Sequence, residues 1–245
     1  MTVVIPEALI DALRHAKRLA VLTGAGISAE SGVPTFRDAQ TGLWARYSPE
    51  ELATPEAFAR TPKLVWDWYA WRRTLVANAR PNPGHLALTS MSARYDHFTL
   101  VTQNVDGLHQ RAGSASVIEL HGNIARIKCA RGCGIVTDFA LEDTPPRCRH
   151  CGAYLRPDVV WFGEMLPPEA LVAANDAARQ CDVFLSVGTS ALVYPAADLP
   201  LVALADGATL VEINTANTPL SARASFVLQG PSGAVLPALL DALAA

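Results

Sequence analysis

Two hydrophobic periods run side by side along this chain. After Pro6, Leu9, Ile10, Leu13 and Ala16 recur at helical spacing, and Leu19-Ala-Val-Leu22 then forms a short unbroken apolar run. The first pattern predicts an amphipathic helix and the second a strand buried on both faces. Short runs of the same kind, rich in β-branched or aromatic residues, recur at Phe98–Val101, Val117–Leu120, Val183–Val187, Thr209–Ile213 and Phe226–Leu228. Alternation of such strands with helical stretches predicts an α/β fold built on a Rossmann-like parallel sheet.

Each predicted strand runs into a small or polar loop: Thr23-Gly-Ala-Gly26, Thr102-Gln-Asn-Val-Asp106, His121-Gly122, Gly188-Thr-Ser190, Asn214-Thr-Ala216 and Gln229-Gly230. In doubly wound sheets ligands bind beyond the carboxyl ends of the strands, so these loops predict one shared site. Two segments break the pattern. Residues 38–82 hold Trp44, Trp66, Trp68 and Trp71 between Pro49, Pro55, Pro62 and Pro81, and read as a helical insertion. Residues 126–157 hold clustered cysteines, two adjacent prolines and little apolar periodicity, too little for a hydrophobic core of their own. The predicted large lobe is therefore 1–37, 83–125 and 158–245, with a small lobe made of insertion 38–82 and module 126–157.

Composition narrows the function. At 245 residues, 50% hydrophobic and 18% charged, the chain has ample material for a buried core. A net charge of −3 with no run of five like charges argues against direct nucleic-acid binding. No apolar stretch is long enough to span a bilayer, which argues against a membrane protein. Glu7 and Asp11 precede the basic residues, and Leu19–Leu22 is too short for a signal peptide's apolar core, so a cytoplasmic protein is expected.

Cys129, Cys133, Cys148 and Cys151 form C-x3-C, fourteen intervening residues, then C-x2-C. Two thiolate pairs at this spacing predict a zinc ribbon holding one structural Zn²⁺, a closed shell with no position for substrate. His150 is a weak alternative ligand. Cys181, beside the run Val183–Val187, reads as a small core residue. Thr23-Gly-Ala-Gly-Ile-Ser-Ala29 fits a G-x-G-x-x-A turn after a strand, where glycines let backbone approach a pyrophosphate. A dehydrogenase would continue into a second strand with an acidic end. This chain instead runs Glu30-Ser-Gly-Val-Pro-Thr-Phe-Arg-Asp38, which suggests a loop that closes over a nucleotide.

These blocks together resemble the sirtuins, NAD-dependent protein lysine deacylases. The resemblance covers Gly24 to Asp38, Thr102-Gln-Asn-Val-Asp-Gly-Leu-His109, Glu119-Leu-His-Gly122, the cysteine pairs, Val160-Trp-Phe-Gly-Glu164, Gly188-Thr-Ser190 and Glu212-Ile-Asn214, in the family's order. It implies that NAD is a consumed co-substrate. The acyl oxygen of a modified lysine attacks C1′ of the nicotinamide ribose, nicotinamide leaves, and a histidine acts as base on a ribose hydroxyl. The products are nicotinamide, acyl-ADP-ribose and free lysine.

By the same resemblance His121 is the base, a role that suits an imidazole titrating near neutrality. NAD would be held by Gly24, Ala25, Gly26, Ser28, Ala29, Phe36 and Arg37 of the first loop. Gln103, Asn104 and Asp106 would hold the ribose and the nicotinamide amide; read from composition alone they serve equally as turn residues. Gly188, Thr189, Ser190, Asn214, Thr215, Ala216 and Ser232 would face the adenosine half. Val160, Phe162 and Gly163 resemble the segment whose backbone pairs with an extended substrate peptide, although a core strand fits the same residues. Asp158 stands where the family often has His.

Tyr69 and Arg72 resemble a Tyr-x-x-Arg pair found in sirtuins that accept acidic acyl groups such as succinyl and malonyl. At i and i+3 they share a helix face, where a guanidinium can grip a carboxylate bidentately beside a phenol. Arg73 falls on another face and is expected in solvent. The partners implied are acylated lysine side chains of proteins. Two further readings stay open: mono-ADP-ribosyl transfer or NAD hydrolysis at the same site, and an NAD sensor without turnover.

Overall fold

A computed structural model describes residues 4–34, 47–139 and 144–245; Phe36 and Arg37 of the closing loop lie outside the described residues. In chain order, α1 (Glu7–His15) leads into β1 (Arg18–Thr23) and the short α2 (Ala25–Ser28). Three helices that each begin on proline follow, α3 (Pro49–Leu52), α4 (Pro55–Arg60) and α5 (Pro62–Asn78). Proline suits a first helical turn because its missing N–H would have no partner there. Next come α6 (Pro83–Ser92), β2 (His97–Thr102), α7 (Leu108–Arg111) and β3 (Val117–Glu119). The chain continues through β4 (Gly122–Cys129) and β5 (Leu155–Val159) to α8 (Pro168–Gln180) and β6 (Val183–Val187). It ends with α9 (Leu199–Ala205), β7 (Thr209–Asn214), β8 (Phe226–Gln229) and α10 (Ser232–Ala244).

The six runs identified from the sequence are the six strands of one sheet, ordered β3-β2-β1-β6-β7-β8. Every neighbouring pair in it is parallel. Alternate side chains of each strand enter opposite cores, as strand pleating requires. Leu19, Val21, Leu185 and Val211 pack under α1, α6 and α10 through Leu13, Leu88, Met91 and Leu236. Ala20, Leu22, Phe184 and Leu210 pack under α8 and α9 through Ala174, Ala178, Leu199 and Ala203. Strand order reverses between β1 and β6, and that reversal opens the crevice where doubly wound folds bind ligands.

The antiparallel hairpin β4–β5 lies outside the strands expected from the apolar runs. Its residues are mixed in polarity, since charged Arg126, Lys128 and Asp158 share it with Ile127 and Leu155. Gly122 opens the hairpin at φ +78°, and a Cβ there would stand 2.2 Å from the Asp158 carbonyl oxygen, so only glycine fits. Helix α5 links the small-lobe parts. Trp66 joins Ile127, Cys129, Cys148 and Leu155 in one small core, whereas Trp68 and Tyr69 join Phe58, Leu108, Ile124 and Trp161 in another.

Candidate active site

The crevice floor is backbone packed on backbone. Gly26 N–H donates to the Gly188 carbonyl at 2.8 Å, and Gly24 N–H to Val187 O at 3.0 Å. A Cβ on Gly26 would meet Gly188 Cα at 2.7 Å, and Gly188 sits at φ +60°. Glycine is thus required on both sides of the strand reversal. Thr189 is buried beside it and Ser190 exposed, while Asn214 Nδ2 donates to the Thr189 carbonyl at 2.7 Å. Thr215 and Ala216 follow on the surface. Ser232, the first residue of α10, is buried, and its backbone lies against α6 at Gly84.

The loop after β2 meets the loop after β1. Asn104 Nδ2 donates to Gly24 O at 3.0 Å and to Ser28 Oγ at 3.1 Å; Ser28 Oγ in turn donates to Asp106 Oδ2 at 2.7 Å. Burial pushes the Asp106 carboxyl up, against the Leu108 N–H, the Ser28 hydroxyl and the charge of Arg72. His121 Nδ1 lies 2.8 Å from the Gln103 carbonyl, an acceptor only, so Nδ1 carries the proton and Nε2 keeps a free lone pair. Burial lowers the His121 pKa while the Gln103 bond raises it, with a net lowering that favours the neutral imidazole.

Behind this floor lies a polar layer that sequence reasoning missed. His85 and His109 are buried with ring centroids 4.9 Å apart. Asn82 N–H donates to His85 Nδ1 at 3.3 Å, which leaves His85 Nε2–H directed at Ser28 Oγ, 3.5 Å away. Thr23 Oγ1 donates to Thr102 Oγ1 at 2.8 Å and lies 2.9 Å from His109 Nε2; Thr102 Oγ1 also takes the Asn104 N–H. Burial pulls His85 down to about 4, and burial with His85 as neighbour takes His109 to about 3. Thr23, Thr102 and His109 lie in blocks quoted above with no role given to them, and Asn82-Pro-Gly-His85 reads as a helix cap: Asn82 Oδ1 accepts the Gly84 N–H at 2.9 Å.

Tyr69 and Arg72 share one face of α5, as their spacing predicted, and both are buried. The Arg72 guanidinium lies 5.0 Å from the Trp68 ring centroid, and its charge acts on Tyr69 and Asp106. Burial drives the Tyr69 phenol up to about 12, with Arg72 pulling the other way. Arg73 corrects the expectation of a solvated side chain: its guanidinium stacks 4.7 Å from the Trp66 ring centroid because α5 packs on both its faces. The segment after β5 is a turn, not a core strand. Val160 N–H donates to His121 O and Phe162 N–H to Ala53 O, both at 2.9 Å, and Phe162 and Gly163 are exposed. Gly163, at φ +85°, shapes the turn.

The four predicted ligands Cys129, Cys133, Cys148 and Cys151 converge with their Sγ atoms all within 4.8 Å of one another. Four thiolates about 2.3 Å from a tetrahedral Zn²⁺ stand roughly 3.8 Å apart, so the cluster fits a structural zinc ion. Two knuckles present them: Cys129 N–H donates to Gly134 O at 3.0 Å and Cys148 N–H to Ala153 O at 2.7 Å. Burial opposes ionisation of Cys129, but the Cys133 and Arg131 N–H groups and the adjoining thiols bring it down to about 6. His150 is not among the converging ligands. Cys181 is buried in the sheet core, and burial raises its thiol to about 12.

A glycine-packed crevice at a strand reversal, floored by amide, carboxylate and imidazole groups, defines a nucleotide-binding α/β protein of the doubly wound class. The profile of the Sir2 family matches residues 24–195. The NAD-dependent protein deacylase 2 of Pyrobaculum aerophilum is 55% identical over 233 residues, 94% of this chain and 93% of its own. A Sir2 homolog–NAD complex superimposes with a TM-score of 0.91 at 46% identity, covering 99% of this chain and 95% of that one. A Sir2–p53 peptide–NAD+ complex gives 0.86 at 30% identity, with 97% and 98% covered. The chain belongs to the Sir2 family.

Proposed function

We propose that this protein removes acyl groups from protein lysine side chains at the expense of NAD, and that it favours acyl groups ending in a carboxylate. The observation that carries the reaction is the His121 tautomer: with Nδ1–H committed to the Gln103 carbonyl, Nε2 is left as the base. When bound, NAD supplies an electrophilic ribose carbon with nicotinamide as leaving group. Gly24, Gly26 and Gly188 let backbone approach its phosphates, and Ser190, Asn214, Thr215, Ala216 and Ser232 are assigned to the adenosine side. Asn104 and Asp106, pre-positioned through Ser28, orient the ribose and amide. His121 Nε2 takes the proton from a ribose hydroxyl.

Preference for acidic acyl groups rests on Tyr69 and Arg72. A guanidinium can grip a distal carboxylate bidentately and a phenol can donate to it, contacts that a plain acetyl group does not offer. Val160, Phe162 and Gly163 line the approach of the peptide that carries the lysine. The four cysteines hold zinc, and a reducing cytoplasm suits a chain whose five cysteines form no disulfide. The test is a parallel assay on one lysine peptide carrying acetyl or succinyl, with and without NAD, following nicotinamide release and peptide mass. We expect NAD-dependent loss of succinyl well above loss of acetyl. Loss of acetyl alone would remove the acidic-acyl reading, and NAD binding without nicotinamide release would replace the enzyme by a sensor.

A further inference from the structure

The turn that follows β5 is braced by an ion pair between a buried arginine and a half-buried glutamate. Arg156, 6% exposed, lays its guanidinium 3.2 Å from the centroid of the Trp161 ring. Its Nη1 and Nη2 fork onto Glu164 Oε1 and Oε2 at 2.5 and 2.9 Å, and Nη2 also donates to Val159 O at 2.8 Å. Glu164 Oε2 accepts the Trp161 N–H at 2.8 Å, and the Glu164 N–H closes the turn on Trp161 O at 3.0 Å. Guanidinium, carboxylate and indole thus form one closed unit across Val159–Glu164.

Stability alone does not explain such a unit. Burying the Arg156 charge and part of the Glu164 charge offsets much of what their attraction returns. A planar fork stacked on a ring does impose a single geometry on what it holds. Trp161 is buried with its ring centroid 5.2 Å from that of Phe58 and 6.1 Å from that of Tyr69. The residues on either side of it are tied to the His121 backbone through Val160 and to the helical insertion through Phe162 and Ala53.

We infer that Arg156 and Glu164 are positioning residues for acyl-peptide binding: their ion pair fixes Trp161 against Tyr69 and the backbone of 160–163 against His121. The inference rests on the deacylase reading above. Among the described residues the side-chain hydrogen bonds of Arg156 and Glu164 stay within residues 156–164, so the effect should fall on peptide and spare NAD.

The experiment compares wild type with Glu164→Gln and Arg156→Lys. Gln keeps the shape but not the charge; Lys keeps the charge but can neither fork nor lie flat on the indole. In substrate-free protein, hydrogen exchange at the Trp161 and Glu164 amides should quicken at least tenfold in both variants, with the amides of β1 and β6 unchanged. In kinetics, KM for the acyl peptide should rise about tenfold while KM for NAD and kcat stay within twofold. Unchanged exchange at Trp161 and Glu164, or a parallel rise in both KM values, overturns the positioning role. A wild type that releases no nicotinamide with acyl peptide overturns the proposed function instead, and the exchange result still decides whether the brace exists.

Discussion

The two lobes of this molecule reach order by different means. The parallel sheet carries an apolar core on each face, supplied by short apolar strands and the helices packed on them. The β4–β5 module has a core of five buried residues, two of them the metal-ligating Cys129 and Cys148 and one, Trp66, lent by α5. Burial orders the first lobe; coordination and borrowed packing order the second. The groups proposed above for the nucleotide sit on loops of the sheet, whereas Tyr69 and Trp161, proposed for the acyl side, pack in a core next to the cysteine module and joined to it through α5.

Removing zinc would test this division most severely. Cys148→Ser, or chelation, should abolish deacylation by more than 100-fold and expose Trp66, read by its fluorescence, while far-ultraviolet circular dichroism keeps the signature of the parallel sheet. Simultaneous loss of both lobes would break the comparison. His121→Tyr comes next, since it removes the base at the junction where β3 runs into β4. Deacylation should fall about 10²–10⁴-fold, with NAD still bound in calorimetry.

Arg72→Met sharpens the comparison at the acyl end. Charge-assisted hydrogen bonds contribute about 1.5–3 kcal/mol, so desuccinylation should fall roughly 10- to 100-fold and deacetylation by less than about threefold. Equal losses on the two substrates would take the acyl-selecting role from Arg72. An effect with no part in the chemistry is confined to the polar layer behind the crevice floor and depends on pH. His85 and His109 are held neutral in the fold, at about 4 and about 3 against 6.5 for a free side chain. Below pH 6.5 the unfolded chain binds protons that the folded chain refuses, so stability is full above that pH and declines as pH falls toward 4 and 3. Denaturant unfolding at pH 5 should show a loss on the order of 2 kcal/mol per histidine relative to pH 7.5. His85→Gln should remove its own share of that loss.

What the sequence alone determined was everything governed by local period and spacing. Six apolar runs became the six strands of the sheet, the prolines of 49–62 became helix starts, and two cysteine pairs became one cluster. The spacing of Tyr69 and Arg72 gave their shared helix face, since three residues is nearly one turn, but it was the resemblance to sirtuins that singled them out as a pair. The hairpin β4–β5 escaped because its residues are mixed in polarity and its order comes from pairing and thiolates. Arg73 was misplaced because nothing local shows that α5 is packed on two faces. His85, His109 and the Arg156–Glu164 brace needed the tertiary structure for the same reason. Their partners lie on other segments, or across a turn whose shape was not foreseen, and a side chain's burial and hydrogen bonds depend on what the fold brings to it.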